Sequence, residues 1–506
     1  MKVFSAAQIK QWDLYTIQHT HITSLDLMER AAHAFVHRLL VLVPKGNYFI
    51  VCGAGNNGGD GLAVARLLTE KGCKVEVLLF QNNILSEDAA INYERALQQD
   101  IKITRIQSTT EISEENWNSY AKQYDVIIDA LFGTGLNRSL QGEAAALVTT
   151  INALHKRVIA LDIPSGLSAD VEAQENNVII KAIETIAFQI PKRTFFYPSS
   201  KPYIGEWYVE EIGLLSTFSL ETITTSQYTT LKDIQAIYKP RTAFSHKGNF
   251  GKGLLMAGSF GMMGAAVLAA RACLRSGIGL LKVYTPRCGY EILQTSIPEA
   301  MVLCDEETDE FTSFPDVSEY NAMAIGPGWR ESDTAFTVLS NLLKTVKIPM
   351  VIDAGALNLM SKEQNLLSHV CAGSILTPHH KEFERLAGTT LSRQESEDLA
   401  LAWAQAYGIV FVLKGQHTAV VLPDGTIHYN STGNAGMAKG GSGDCLTGIL
   451  LALLCQGYSA EQAAIMGVFM QGFAGDRAAT YHSKEAMLPS DLIESLGEFF
   501  EKMSNG

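Results

Sequence analysis

The stretch Ala435-Gly436-Met437-Ala438-Lys439-Gly440-Gly441-Ser442-Gly443-Asp444 runs directly into the apolar segment Cys445 to Cys455. A glycine-rich turn that opens a helix presents several backbone N–H groups without partners, and these suit a phosphate. An aspartate at the start of that helix can take a proton from an attacking hydroxyl. Four of the five residues from Gly440 to Asp444 are glycine or aspartate, more than capping a helix requires. Together they predict phosphoryl transfer to an alcohol.

Upstream of this turn, short apolar runs alternate with helical ones. Helices are expected over Ala6 to Thr16 and Ser24 to Leu42, where apolar residues recur every three and four positions. Strands are expected at 48–52, 74–80, 125–129, 157–161 and 184–188, with a helix over Leu62 to Leu68. Around Ser216 to Gln227 the chain turns to Ser and Thr, which predicts a boundary between domains at 1–220 and 226–506. A second series of strands is expected at 253–257, 279–284, 322–325, 350–353, 374–376 and 409–413. β-branched runs alternating with helices predict α/β domains with mostly parallel sheets covered on both faces. Ligands then bind at the carboxyl ends of the strands.

Composition narrows the function further. At 506 residues the chain suits two large domains. Its net charge of −13, with no Lys/Arg run, argues against nucleic acid as a partner. The eight cysteines show no Cys-x-x-Cys spacing and sit mostly in apolar contexts, so they read as reduced. The start of the chain lacks a signal-peptide core, and the longest apolar run, Ile449 to Cys455, is too short for a bilayer. A cytoplasmic protein with no membrane contact is expected.

The first expected strand of the sheet runs into Gly53-Ala54-Gly55-Asn56-Asn57-Gly58-Gly59-Asp60-Gly61. Such a loop lets backbone approach a ligand closely. Two further strand ends are oxygen-rich: Asp129-Ala130-Leu131-Phe132-Gly133-Thr134-Gly135-Leu136 and Asp162-Ile163-Pro164-Ser165-Gly166. Alone, each acidic tip reads as a cap or turn residue. Together Asn57, Asp129 and Ser165 form an oxygen set without Cys or His, suited to Na⁺, K⁺, Mg²⁺ or Ca²⁺. These three motifs, in this order, resemble the YjeF N-terminal domain, an NAD(P)H-hydrate epimerase, over residues 1 to about 215. The resemblance implies K⁺ held by Asn57, Asp129 and Ser165. It implies a hydrated dinucleotide on Asn56, Asn57, Gly58, Gly59 and Asp60, on Gly133, Thr134, Gly135, Leu136, Asn137, Arg138 and Ser139, and on Asp162. Ala169-Asp170-Val171-Glu172 departs from the family's usual Ala-Asp-Thr-Gly, at a peripheral place. Epimerisation at C6 requires the hydroxyl to leave and return, or the ring to open, and either route needs an acid or base there. Asp162 is the candidate, at the tip of a strand where burial suits a proton-carrying role.

In the second half every strand tip is polar or glycine-rich. The tips include Gly326-Pro327-Gly328, Asp353, Thr377-Pro378-His379-His380-Lys381-Glu382-Phe383 and Lys414-Gly415-Gln416-His417-Thr418. One cleft along one sheet edge is expected. With Lys247-Gly248-Asn249-Phe250-Gly251 and the opening turn, these motifs resemble, from about 230 to 500, the ADP- or ATP-dependent NAD(P)H-hydrate dehydratases of the ribokinase-like superfamily. The resemblance implies adenine-nucleotide contacts at Lys414, Gly415, Gln416, His417, Thr418 and Gly443. It implies hydrate contacts at Gly326, His379 and Asp444, with Gly253 lining the pocket. Two departures stand out: Asp353-Ala354-Gly355 where the family often has Asp-Ala-Asp, and Trp329-Arg330 where Leu-Gly is usual.

The fold class expected is therefore α/β in two domains, an N-terminal Rossmann-like and a C-terminal ribokinase-like three-layer sandwich. The fused order implies a bifunctional repair enzyme acting on R- and S-NAD(P)HX with ADP or ATP, with Asp444 and Asp162 as catalytic groups. Mg²⁺ is expected with the nucleotide, and assembly into a homo-oligomer is expected for α/β domains of this size. A small-alcohol kinase with an accessory N-terminal domain, and a nucleotide sensor without catalysis, are the competing readings. Free phosphate as product distinguishes a dehydratase from a kinase.

Overall fold

The computed structural model describes residues 1–504 apart from 82 and 137. It divides into two compact units, Lys2–Thr224 and Thr225–Gly506, the latter together with Met1. Each is an α/β sandwich, described separately.

The first unit is built on seven strands: β1 Tyr48–Cys52, β2 Val75–Phe80, β3 Lys102–Ile106, β4 Val126–Ala130, β5 Arg157–Leu161, β6 Glu184–Phe188 and β7 Glu206–Glu210. They pair in parallel in the order β3-β2-β1-β4-β5-β6-β7. The near-continuous apolar runs follow from burial on both faces. Tyr48, Ile50 and Cys52 join the core under helices Ser24–Leu42 and Asn56–Glu70, while Phe49 and Val51 join the opposite core with Leu147 and Ile151 of helix Gly142–Ala153. Strand order reverses between β1 and β4, so a crevice opens there, beyond their carboxyl ends.

The helix expected over Leu62 to Leu68 begins earlier, at Asn56, with Gly55 as its N-cap. Glycines disfavour helix in isolation, but here packing overrides propensity. A Cβ on Gly58 would lie 1.8 Å from the Gly53 carbonyl oxygen, and one on Gly59 would meet the Met28 side chain at 2.8 Å. The glycines let the helix lie directly on the strand. Asn56, Asn57 and Asp60 therefore sit on its first turns rather than on a loop.

The second unit contains β8 Ser226–Tyr228, β9 Lys252–Met256, β10 Leu280–Thr285, β11 Met301–Cys304, β12 Ala322–Ile325, β13 Met350–Ile352, β14 Ile375–Leu376, β15 Val410–Leu413, β16 Ala419–Val421 and β17 Ile427–Tyr429. They run β8-β17-β16-β15-β14-β13-β12-β9-β10-β11. From β15 to β11 the pairs are parallel, whereas β15, β16 and β17 meander antiparallel. Leu255, Ala324, Val351, Ile375 and Val410 face the core made with helices Met263–Arg275, Ser442–Cys455 and Ala460–Ala486. Phe411 faces the other way, against Phe383 and Trp403. Helix Ser442–Cys455 is buried from Cys445 onward, which explains its unbroken apolar sequence. Strands β3, β7, β8, β11, β16 and β17 are not foreseen by the sequence reading; β3, β7 and β11 are partly exposed or lie at a sheet edge, and β8, β16 and β17 are only three residues each. Among the described residues no helix is long and apolar enough to cross a membrane.

Candidate active sites

In the first unit a cavity of about 520 Å³ opens beyond β1, β4 and β5. Asn56, Asn57, Asp60, Gly133, Thr134, Gly135, Leu136 and Asp162 line it. Gly58 and Gly59 do not: they are buried in the inner face of their helix. Arg138 and Ser139 are exposed and do not line it, and Asn137 lies outside the described residues. The opposite wall is apolar, with Ile9, Trp12, Ile17 and Leu27 from the first two helices.

Asp162 follows β5 with a φ of 66°, in the left-handed region that aspartate tolerates better than most residues. It is not a lone desolvated acid. Its Oδ1 accepts from Lys192 Nζ at 2.5 Å and from the Phe188 amide at 2.9 Å. Lys192, 1% exposed, also donates to the carbonyls of Phe188 and Ile190, which saturates the ammonium. Nothing in the sequence pattern marked Lys192; its role depends on a backbone turn after β6. Three further carboxyls share the cavity, those of Asp13, Asp60 and Asp88. Burial, then the charges of Asp162 and Asp13, push Asp60 well above the usual carboxylate range. Burial, then the charge of Asp162, push Asp13 up to about 7, against the pull of Lys192.

The oxygen set assembles beside this cavity. Ser165 donates from Oγ to Asp129 Oδ1 at 2.6 Å, and its amide donates to Oδ2 at 2.7 Å. The Phe132 amide donates to Ser165 Oγ at 2.8 Å. Asn57 packs against Gly133, where a Cβ would lie 3.1 Å from Asn57 Oδ1. Burial pushes the Asp129 carboxyl up to about 6, although Ser165 and Leu131 hydrogen bonds oppose it. Among the described residues Asn57 Nδ2 is buried without a partner.

In the second unit the strand tips converge. Gly326, at the end of β12, has a φ of 111°, and a Cβ there would fall 1.8 Å from the Asp353 carbonyl oxygen. Asp353, 1% exposed, accepts from Lys414 Nζ at 2.8 Å and from Thr447 Oγ1 at 2.8 Å. Burial raises its pKa, but the Lys414 charge and hydrogen bonds from Lys414, Thr377 and Thr447 outweigh that and hold it below the usual carboxylate range. Lys414 Nζ also lies 3.7 Å from Glu382 Oε2. Burial disfavours its charge, but Asp353, Glu382 and Asp444 more than compensate and raise its pKa.

The opening turn lies over this ammonium: a Cβ on Gly443 would be 3.5 Å from Lys414 Nζ. The helix starts at Ser442, with Gly441 as N-cap at a φ of 103°. The Ser442 amide already donates to the Lys439 carbonyl at 3.3 Å, so the first-turn amides of Gly443 and Asp444 are the free donors. The turn is clamped from outside. Lys439 Nζ donates to the carbonyls of Glu485 and Met487, and Gln471 Nε2 donates to the Ser442 carbonyl. Burial, then the charge of Asp353, push the Asp444 carboxyl up to about 7, against Lys414.

His379 caps helix His380–Ala387: Nδ1 accepts from the Glu382 amide at 3.1 Å, which leaves Nε2 toward the Glu382 carboxylate at 3.4 Å. A parallel bridge joins His379 to Lys414. Of the remaining nucleotide candidates, Gly415 and Gln416 are exposed, Thr418 Oγ1 closes a turn on Gly415, and His417 Nδ1 lies 3.2 Å from the Asn430 carbonyl. Gly253 is not brought to this edge. It sits at the amino end of β9, against Ile278, Leu451 and Cys455, because a parallel sheet keeps its strand starts on the far side. The two sequence departures meet each other. A Cβ on Gly355 would lie 2.7 Å from the Trp329 carbonyl oxygen and 2.9 Å from its Cβ, while the indole N–H donates to the Met256 carbonyl at 2.7 Å.

Replacing Gly355 by the aspartate more usual in the resembled family should lower stability by about 1–3 kcal/mol through overpacking. An unchanged urea midpoint for Gly355→Asp would show that Trp329 yields freely. A second expectation concerns Asp444. Its folded pKa lies above its unfolded one, so the stability it contributes is complete below about 3.8 and is lost as pH rises to about 7. Asp444→Asn should therefore be more stable than wild type at pH 8, on the order of 1–4 kcal/mol, with the gap narrowing toward pH 5. Thermal unfolding of the nucleotide-free protein at both pH values checks this, and an equal gap at the two would refute it.

The chain has counterparts among known proteins. The family described as NAD(P)H-hydrate dehydratase matches residues 253–498, and that described as YjeF-related protein N-terminus matches residues 24–194. A bifunctional NAD(P)H-hydrate repair enzyme of Moorella thermoacetica is 33% identical over 98% of this chain and 96% of its own. Its counterpart in Escherichia coli is 32% identical over 98% of this chain and 93% of its own. A solved ADP/ATP-dependent NAD(P)H-hydrate dehydratase of Bacillus subtilis, co-crystallized with ATP/Mg²⁺, is 31% identical, covering 55% of this chain and 98% of that one at a TM-score of 0.48. With an aspartate-bearing cavity in one unit and a clamped glycine turn over a buried lysine in the other, the chain belongs to the family of bifunctional NAD(P)H-hydrate repair enzymes.

Proposed function

We propose that the unit Thr225–Gly506 removes water from S-NAD(P)HX by phosphorylating it, and that the unit Lys2–Thr224 supplies the S epimer from the R epimer. The observation that carries the first half is Asp444 on a helix start beside the Lys414 ammonium. A hydroxyl at C6 is a poor leaving group, and phosphorylation makes it a good one. Asp444 takes the hydroxyl proton as the oxygen attacks the terminal phosphorus of ADP or ATP. The amides of Gly443 and Asp444, with Lys414, hold the charge on the transferring phosphoryl. The ring nitrogen's lone pair then expels phosphate, and loss of a proton restores the dihydropyridine. ADP leaves as AMP, and ATP as ADP.

Asp353 has both oxygens engaged by Lys414 and Thr447, and no cluster of three or more His, Cys, Asp or Glu suited to a metal occurs among the described residues. We read Mg²⁺ as arriving with the nucleotide, where it would offset phosphate charge. In the first unit Asp129, Ser165 and Asn57 fit a monovalent cation, since a buried carboxylate flanked by neutral oxygens has no ammonium beside it. Asn57, Asp129 and Ser165 would hold K⁺, and its charge would offset that of a bound dinucleotide. The eight unpaired cysteines support a cytoplasmic setting, and we read the working form as a homo-oligomer acting on small molecules.

Incubation with mixed hydrate epimers and ADP or ATP, followed by dihydropyridine absorbance, tests the reading. Asp444→Asn should lose about 10²–10⁴-fold in dehydration while R and S epimers still interconvert. Near-normal turnover would sink the role of Asp444. In wild type, kcat/KM for dehydration should rise as pH passes through about 7, since the base works unprotonated. Exchanging K⁺ for choline should lower the unfolding temperature of wild type and leave Asp129→Ala unmoved; the same response in both would remove Asp129 from the cation site.

A further inference from the structure

Asp13 carries a carboxyl that none of the recognised motifs contains. It lies on helix Ala6–Thr20 and lines the same cavity as Asp162 and Lys192. Its neighbours on that helix, Ile9, Trp12 and Ile17, make an apolar wall. The helix is firmly seated. Ser5 caps it, Asp170 accepts from the Ala6 amide at 3.0 Å, and the Trp12 indole donates to the Leu215 carbonyl at 2.7 Å. Among the described residues no hydrogen bond or ion pair engages the Asp13 carboxyl, whereas Asp162 is held by Lys192 and the Phe188 amide. A partly buried carboxyl without a partner is costly unless something else completes it. Asp60 and Asp88 also line the cavity, from helices Asn56–Glu70 and Glu87–Gln98, whereas Asp13 stands on the first helix; a paired carboxyl and an unpaired one are what a reaction with one base and one acid requires.

We infer that Asp13 is the second catalytic carboxyl of the epimerase cavity, acting as the acid opposite the base Asp162. This rests on the epimerase reading of the unit. The hydrate is a cyclic hemiaminal at C6. Asp162 takes the C6 hydroxyl proton, the C6=O bond forms, and the N1–C6 bond breaks with its electron pair moving to N1. Asp13 gives its proton to N1. Rotation about C5–C6 turns the other aldehyde face to N1, the N1–C6 bond re-forms, the N1 proton returns to Asp13, and Asp162 returns its proton to oxygen. No oxidant or co-reactant is needed.

Lys10 on the same helix, and Asp60, Asp88, Asp162 and Lys192 from the facing elements, share the cavity with Asp13, whose proton affinity Asp162 raises and Lys192 lowers. Burial and the Asp162 charge keep it protonated up to about pH 7. Wild-type consumption of the R epimer, with S-epimer dehydration in excess and spontaneous epimerisation subtracted, should therefore slow as pH rises through about 7. Asp13→Asn should be at least about 100-fold slower at pH 7 and should lose that limb of the profile. A rate within a factor of a few of wild type would overturn the inference. So would a wild-type rate that stays flat above pH 7, a measurement that needs no variant to fold. If wild type fails to interconvert the epimers at all, the epimerase reading itself falls.

Discussion

The Lys414 ammonium, 2.8 Å from Asp353 and 3.7 Å from Glu382, is the charge on which the dehydratase site depends. It lets Asp353 remain ionised at 1% exposure, and so fixes the tips of β13, β14 and β15 against the start of helix Ser442–Cys455 through Thr447. Removing one partner of such a buried pair typically costs about 3–5 kcal/mol, because the other charge is stranded. The pair also takes up the nearest cation. Asp444 is left with a buried carboxyl and an ionised aspartate for a neighbour, which raises its proton affinity to near neutrality.

The epimerase unit reaches a similar arrangement with unrelated residues. Lys192 is saturated by Asp162 and two carbonyls, and Asp13 is a carboxyl that the lysine does not pair. In both units the lysine serves one aspartate and tunes another through space. The electrostatic asymmetry between paired and unpaired carboxyls separates their roles better than sequence position does.

Close backbone contact makes these sites possible. Gly58 over Gly53, and Gly326 over Asp353, bring helix and strand, or two strand tips, nearer than any Cβ allows. The contact of Gly355 with Trp329 has the same character, and it accounts for two departures from the family pattern as one packing solution. The small residue at 355 makes room for the backbone and Cβ of the large one at 329.

Much was legible in the chain itself. Apolar runs of strand length, alternating with helical periodicity, determined two mostly parallel α/β sandwiches, because strands buried on both faces must be apolar throughout. Glycine and aspartate at strand ends marked the edge where the candidate sites lie, because a parallel sheet gathers all its strand ends there. That Gly253 lies on the far edge also follows from strand direction, once the strand's register is known. Other features only the tertiary structure decided. The helix at Asn56 starts among glycines because packing on β1 outweighs local propensity. Lys192 reaches Asp162 through a turn without a sequence signature, and Asp13 faces the cavity from a helix whose pattern reports only its buried side. Which carboxyl is paired and which is alone depends on distances across elements far apart in the chain, and no local spacing encodes them.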